Sequence, residues 1–297
     1  MSALDTVWNS EGPHQYDEFT VEVNPEDIID NGMEWLEGLR ALGVNRISMG
    51  IQSFDDGILK WMNRRHTASE AVRAFDMIKS AGFTNVSIDL IFGLSHLTDE
   101  VWLDTIHKAI ALGPEHISSY QLSVEEDSVL EKLIDRGLYK EALDEQCRHQ
   151  YDLLCSELKA AGYEHYEISN FAKPGFQAQH NSAYWNHEPY AGFGPGAHSY
   201  DSSSSIRSWD EHDLESYLAG DIKTGSEHLD NEQLILEHIM LGLRTARGVR
   251  RDWLEAHCDK AEYEADLAKG LLVPIGPNVR IPESSFFISD SIIASLV

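Results

Sequence analysis

The sequence predicts an α/β protein built on a parallel sheet, and three observations carry that expectation. Four short β-branched, apolar runs carry a polar residue at or near their ends: Thr20-Val-Glu-Val-Asn24, Ile47-Ser-Met-Gly-Ile-Gln52, Asn85-Val-Ser-Ile-Asp-Leu-Ile91 and His116-Ile-Ser-Ser-Tyr-Gln-Leu122. Each is followed by a stretch of helical pattern long enough to cross back, the connection that parallel strands require. The run from Val86 to Phe92 is apolar at nearly every residue, as in a strand covered on both faces. Ligands of such sheets sit at the carboxyl ends of the strands. Glu22, Gln52 and Asp89 lie at or near those ends and are the first candidates for chemistry.

The elements follow in order. Asn24 can cap a helix, Pro25 suits its first position, and Glu26 and Asp27 complement its positive end. Ile28, Ile29, Trp35, Leu36, Leu39 and Leu42 then recur at helical spacing until Gly43 stops the helix. A second helix is expected from about Asp55 to Gly82, with Leu59, Met62, Ala71, Ala74, Phe75 and Ile78 as its buried stripe. Asp89 interrupts the apolar third strand, and a carboxylate there is costly unless it is paired or points into a site. Residues 125–161 pattern as one or two acidic helices, and Gly162–Ser169 as a further strand. Asn170–Tyr200 is loop-rich, dense in Gly, Pro, aromatics and His, and Ser202–Ser205 is an exposed tip. From Asn231 a helix runs through Leu234, Ile235, Ile239, Met240 and Leu243. A break at Gly248, a helix starting near Asp252 and a hairpin over Leu271–Ile281 complete an order resembling a winged helix. Three regions result: 1–169, the β/α part; 170–230, the loop-rich part; and 231–297, a C-terminal α+β subdomain.

Charge excludes some partners. Across 297 residues, 23 Lys and Arg face 50 Asp and Glu, a formal net charge of -27. Such a surface repels phosphate backbones and anionic bilayers, so neither nucleic acid nor a stable membrane position is expected. A DNA-binding winged helix needs a basic face, and only the Arg244, Arg247, Arg250 and Arg251 cluster departs from the mixed or acidic character of the segment. Cys147, Cys155 and Cys258 are too irregularly spaced for a disulfide framework or a thiolate metal site. Residues 1–19 show no secretory pattern and no run approaches bilayer-spanning length, which leads to an expectation of a soluble, cytoplasmic protein.

Four polar side chains could together hold a small ligand. Glu22 and Asp89 can accept from an ammonium group or ribose hydroxyls, Gln52 can donate and accept, and Arg64 can grip a carboxylate through two parallel hydrogen bonds. The same set could equally be a structural ion network.

Thr20-Val-Glu-Val-Asn-Pro25, Arg46-Ile-Ser-Met-Gly-Ile-Gln-Ser-Phe54, Asn63-Arg64 and Ile88-Asp-Leu-Ile-Phe-Gly-Leu94 resemble, in this order, segments of the coproporphyrinogen III oxidase-like radical S-adenosylmethionine (SAM) proteins. The resemblance runs from about Phe19 to the C-terminal region. It implies a partial TIM-type (β/α) barrel, with Glu22, Gln52, Arg64 and Asp89 at positions that contact S-adenosylmethionine. Arg64 would pair with the methionine carboxylate, and the others with the amino group and ribose. Ser95 and Leu97 stand where the family usually has Pro and Gln. The family also holds a 4Fe-4S cluster on a CxxxCxxC loop, which supplies the electron for cleavage of the sulfonium. No CxxxCxxC occurs in this sequence, and by the resemblance Glu22 lies on the family's third strand. The chain is therefore expected to begin partway along the barrel, with Met1 near the end of a preceding helix, as a truncated product or a degenerate relative.

His180-Asn-Ser-Ala-Tyr-Trp185 matches HNxxYW and is similar to the signature of the heme chaperones of the HemW type. A neutral imidazole is a common axial ligand of heme iron, and Tyr184 and Trp185 could cover a porphyrin face. Taken without the family, a lone loop histidine is more often a hydrogen-bonding residue. His165, His187 and His198 are candidates for a second ligand or ordinary loop polar groups. The resemblance implies a protein that binds heme and S-adenosylmethionine and passes heme to an acceptor protein. The alternative is an oxygen-independent coproporphyrinogen III oxidase, which converts propionate side chains to vinyl groups and requires the cluster.

Overall fold

A computed structural model describes residues 16–297; the helix end expected near Met1 lies outside the described residues. The chain divides into two compact units, the first running to Glu164 and including Ser169–Gln177, the second comprising His165–Ile168 and Ala178–Val297.

In the first unit β1 (Thr20–Val23), β2 (Arg46–Gln52), β3 (Val86–Phe92) and β4 (His116–Gln121) pair in parallel in that order. After β5 (Glu164–Glu167), β6 (Asn170–Ala172) joins the other side of β4 in antiparallel sense. Among the described residues this sheet is open, with β1 at one edge, and does not close into a barrel.

Partners in register share a face of the sheet. The pairs Glu22 with Ser48, Ser48 with Ser87, Asp89 with Ser118, and Ser118 with Asn170 therefore place a polar row along one face. The opposite face carries Val23, Ile47, Met49, Ile88, Leu90, Ile117 and Phe171, all buried. The third strand is largely covered on both faces, as expected, and one of those faces is polar. Ser87 and Asp89 belong to a polar face, and the run reads as continuous because Ile91 shares that face near the strand end.

The first helix forms as its caps require. In α1 (Pro25–Ala41), Asn24 and Asp27 exchange backbone and side-chain bonds as a capping box, and Pro25 occupies the first turn. Gly32, at φ 73°, breaks the helical path inside it. The single helix expected over residues 55–82 is two, α2 (Asp56–Trp61) and α3 (Ala68–Ser80). Asn63 turns into the left-handed region at φ 56°, and Thr67 with Glu70 forms a new capping box. That Thr-x-x-Glu signal, legible in the sequence, ends one helix and starts the next. The unit continues with α4 (Asp99–Leu112), α5 (Val129–Asp135) and α6 (Asp144–Ala160).

Beyond its short His165–Ile168 segment, the second unit begins with α7 (Gln179–Trp185), so the HNxxYW motif is helical where a loop was expected. Asn and Ser beside the histidine are weak helix formers, which hides a seven-residue helix from a propensity reading. Strands β7 (His198–Asp201), β8 (Ile206–Asp210) and β9 (Thr224–His228) form an antiparallel sheet. Its first turn is the expected exposed tip, with the Ser203 and Ser204 hydroxyls donating to Asp201 at 2.7 Å each. After α8 (Leu214–Leu218) come α9 (Asn231–Leu243), β10 (Val249–Arg250), α10 (Arg251–His257) and α11 (Lys260–Lys269). The hairpin of β11 (Val273–Ile275) and β12 (Asn278–Arg280) precedes α12 (Ser289–Leu296). Only glycine fits at position 248, because a Cβ would lie 2.1 Å from the Val279 carbonyl oxygen. That close approach lets β10 pair with β12. No helix among the described residues is long and apolar enough to cross a membrane.

Candidate functional site

The first unit gathers its polar groups at the strand ends. Asn24, two residues after Glu22, accepts a hydrogen bond from Arg64 Nη2 at 2.5 Å, and the same nitrogen donates to the Gly50 carbonyl at 3.1 Å. Three further contacts hold the segment carrying Arg64. Arg65 Nε reaches Glu26 at 3.1 Å, and His66 bridges Glu26 at 3.0 Å and the Ile51 carbonyl at 3.1 Å. Burial acts to raise the Glu26 carboxyl, but hydrogen bonds from its own backbone and from His66, with the His66 and Arg65 partners, hold it below its ordinary value.

Gln52 sits at φ 69°, where the register of β2 against β3 shifts. This bulge turns its side chain back over Gly50. A Cβ at position 50 would lie 2.7 Å from Gln52 Nε2, 3.4 Å from Arg64 Nη2 and 3.5 Å from Asn24 Oδ1. Gln52 and Arg64 also line a cavity of about 530 Å3, with Trp61, Met62, Ile91 and Leu133 among its apolar walls.

Asp89 lies on the polar face, with Ser48 Oγ 3.4 Å away and Ser118 also bonding to it. Burial pushes its carboxyl up to about 6; the Ser118 bond opposes this, the nearby Glu22 carboxylate adds to it, and Arg46 opposes it. In the same row, His116 Nδ1 meets Ser87 Oγ at 2.7 Å. Burial pushes His116 down to about 3, with Arg46 acting in the same direction. Arg46 Nε and Asn170 Oδ1 are buried on this row without a hydrogen-bond partner among the described residues.

Glu22 and Asp89 thus share one sheet face and sense each other's charge. Asn24 ties that face to Arg64, and Gly50 brings Arg64 to Gln52. Asn24 was legible only as a helix cap; its contact with Arg64 spans 40 residues. The role of Gly50 had no local signal, although an isolated glycine in a strand commonly marks a bulge or a close approach.

The second unit holds the other candidate. His180 is exposed on α7 and meets Tyr184, one turn on, edge to face at 4.9 Å between ring centroids. Tyr184 continues to Tyr190 at 4.8 Å, and Tyr190 to Tyr200 at 6.3 Å. Tyr184 remains 39% exposed, so its ring is accessible beside the imidazole. Tyr190 and Tyr200 carried no sequence signal, because they lie outside the motif, Tyr200 on β7 and Tyr190 in the antiparallel bridge that pairs with it.

The three histidines considered as second ligands differ. His165 has a buried side chain held by the Ile168 carbonyl at 3.1 Å and Glu283 at 3.4 Å, which makes it a core residue. His187 stacks on Tyr200 at 4.5 Å and pairs with Glu237 at 2.9 Å. His198 is exposed and stacks on Trp209 at 5.9 Å.

Cysteines do not assemble a cluster site. Cys147 and Cys155 lie eight residues apart on α6, and Cys258 belongs to the other unit. Burial raises the Cys147 and Cys258 thiols, the reverse of what a ligating thiolate needs. These three residues do not fit a 4Fe-4S cluster.

The Radical SAM superfamily model matches residues 10–109, the segment that carries β1 to β3. The heme chaperone HemW of Bacillus subtilis (strain 168) is 36% identical over 239 residues, covering 79% of this chain and 62% of that protein. The heme chaperone HemW of Mycobacterium tuberculosis (strain ATCC 25618 / H37Rv) is 32% identical over 285 residues, covering 94% of this chain and 72% of its own length. Among solved structures, the coproporphyrinogen III oxidase HemN of Escherichia coli, described as a radical SAM enzyme, superimposes with a TM-score of 0.73 at 20% identity. That match covers 94% of this chain and 69% of HemN and shows the fold alone. The chain belongs to the HemW heme chaperone family. It spans 62% and 61% of the Bacillus subtilis and Lactococcus lactis relatives.

Proposed function

We propose that this chain is a heme chaperone-like protein that binds heme through His180, binds S-adenosylmethionine at the strand ends of its first unit, and hands heme to an acceptor protein. The observation that carries the heme reading is the exposed pair of His180 and Tyr184. An imidazole stands one helical turn from an accessible ring, 4.9 Å apart, so iron ligation and ring contact can come from one helix face. The family membership supports heme as the cargo.

Two features of the first unit support S-adenosylmethionine. Arg64 Nε is buried with no hydrogen-bond partner among the described residues, a donor left for a ligand. Gly50 keeps open the space that a Cβ would fill between Gln52, Arg64 and Asn24. In this reading Arg64 opposes the methionine carboxylate, while Glu22, Asp89 and Gln52 take the amino group and ribose. When bound, the cofactor supplies the sulfonium group of radical SAM chemistry. The protein's own residues bind and orient it. A coproporphyrinogen III oxidase-like activity has only the fold likeness behind it.

Heme titration of the purified chain tests the first part. Wild type is expected to develop a Soret band whose position or intensity changes in His180→Ala. Identical spectra in the two proteins would remove the heme reading. Calorimetric titration with S-adenosylmethionine tests the second, with Arg64→Ala expected to weaken binding at least tenfold; equal affinities would remove the assigned role of Arg64.

A further inference from the structure

The arginine cluster of the C-terminal segment has a use that its acidic surroundings conceal. Arg244 is consumed by Asp290 at 2.6 Å. Arg247 and Arg250 instead line a cavity of about 710 Å3 in the second unit, together with His238, Trp253 and His257. Cavities of this size are typical of small-molecule sites.

The lining is asymmetric in its chemistry. Val249, Trp253 and Ala256 supply an apolar wall. His238 meets the Trp253 ring at 4.3 Å edge-on, and His257 stacks on it at 4.3 Å. The cationic side is made by the arginines. Arg250 is held by Asp252 through Nε at 2.9 Å and through Nη2, which leaves Nη1 for another acceptor. Arg247 makes no ion pair among the described residues, and its exposed guanidinium keeps all five donors. In a chain of net charge -27, a cavity with two arginines and a single carboxylate is a local trap for anions.

Its position relative to the heme motif selects the ligand. The cavity wall includes α9, which also packs on α7, the helix of His180. Glu237, next to His238, binds His187 just beyond that helix at 2.9 Å. One helix, α9, thus both supports the heme motif and contributes to the wall of an anion-attracting cavity, which makes a flat anionic ligand of α7 the natural occupant.

We infer that the cavity bounded by α9, β10 and α10 receives the carboxylate-bearing edge of a tetrapyrrole, with Arg247 and Arg250 taking the propionate groups and Trp253 and Val249 the ring edge. The inference rests on the heme reading above and adds the residues that recognise the dicarboxylate.

Iron-free protoporphyrin IX is the probe, because its binding does not depend on axial ligation. Fluorescence titration of wild type and of Arg247→Gln combined with Arg250→Gln is expected to show at least a tenfold loss of affinity in the variant. Arg247→Lys with Arg250→Lys should recover part of it. Protoporphyrin IX dimethyl ester, lacking the carboxylates, should bind both proteins alike and more weakly than the diacid binds wild type. Affinity for the diacid equal within twofold in wild type and the Gln variant overturns the inference, as does an equal loss for the ester. The heme complex of the Gln variant should keep the wild-type Soret position, since His180 still ligates iron. If His180→Ala leaves the heme spectrum unchanged, the heme reading itself fails, whatever the arginine variants do.

Discussion

Arg64 donates to the side-chain oxygen of Asn24 at 2.5 Å across 40 residues of sequence. One hydrogen bond thus joins the end of the first strand to the turn between α2 and α3, and its donor also holds the Gly50 carbonyl at 3.1 Å. The candidate cofactor site is organised around this bond, and the bulge at Gln52 makes room for it.

Gly50→Ala is expected to damage the site. The new Cβ would stand 2.7 Å from Gln52 Nε2, so the end of that side chain must swing away, and 3.4 Å from Arg64 Nη2, an ordinary contact. Overpacking costs about 1–3 kcal/mol where the neighbours cannot yield, and because the flexible end of Gln52 can, the loss here is expected at the low end, about 1 kcal/mol. Urea unfolding should show that loss, and calorimetry should show weaker S-adenosylmethionine binding. A variant as stable and as tightly binding as wild type would contradict the close packing described.

Asp89 and His116 set opposing pH slopes on stability. Asp89 titrates near 6 in the fold against an ordinary 3.8, so the native state holds its proton longer and stability falls as pH rises from about 4 to about 6. The difference corresponds to about 3 kcal/mol at neutral pH. His116 titrates near 3 against an ordinary 6.5, so the unfolded chain takes the proton first and stability falls as pH drops below about 6.5. In Asp89→Asn, denaturant midpoints should exceed wild type at pH 7 and converge with it near pH 4. The same variant should show a steeper acid-side decline between pH 6.5 and 4, the His116 slope now being unopposed.

Tyr184→Leu keeps a large apolar side chain but removes the ring beside His180. Aromatic pairing of this type is worth about 0.5–1.5 kcal/mol beyond burial. Heme affinity, followed by the Soret band, should fall about two- to tenfold with the band position retained. A shift of the band to that of His180→Ala would mean that Tyr184 positions the imidazole and does not simply cover the ring.

Glu237 holds two partners, His187 at 2.9 Å and Arg207 at 2.5 Å. Glu237→Gln removes the charge from both, and leaving such partners poorly satisfied costs about 1–3 kcal/mol. Thermal unfolding should register the loss. Arg207→Ala should cost less, because His187 then retains its carboxylate.

Much of the first unit was legible because its signals are local. The capping box at Asn24, Pro25 at the helix start and the β-branched runs depend on residues a few positions apart. Glu22, Gln52, Arg64 and Asp89 stood out as polar groups beside apolar runs; Glu22 and Asp89 share one sheet face, while Gln52 and Arg64 line a cavity. The break at Asn63 was missed although residues 63–70 hold no apolar side chain larger than Ala68, and Thr67 and Glu70 announce a new helix. The helix of His180 was missed because its motif is polar and short.

Sequence alone determined the alternation of strands and helices, the acidic surface and the HNxxYW motif, since each depends on composition or on neighbours within one or two turns. Tertiary structure decided the rest. Which strand residues share the polar face depends on register, the meeting of Asn24, Gly50, Gln52 and Arg64 depends on a bulge and a turn packed together, and the row from Tyr184 through Tyr190 to Tyr200 depends on a strand folding back beside a helix. These are contacts between residues far apart in the chain, whose free energy exists only once the elements have packed.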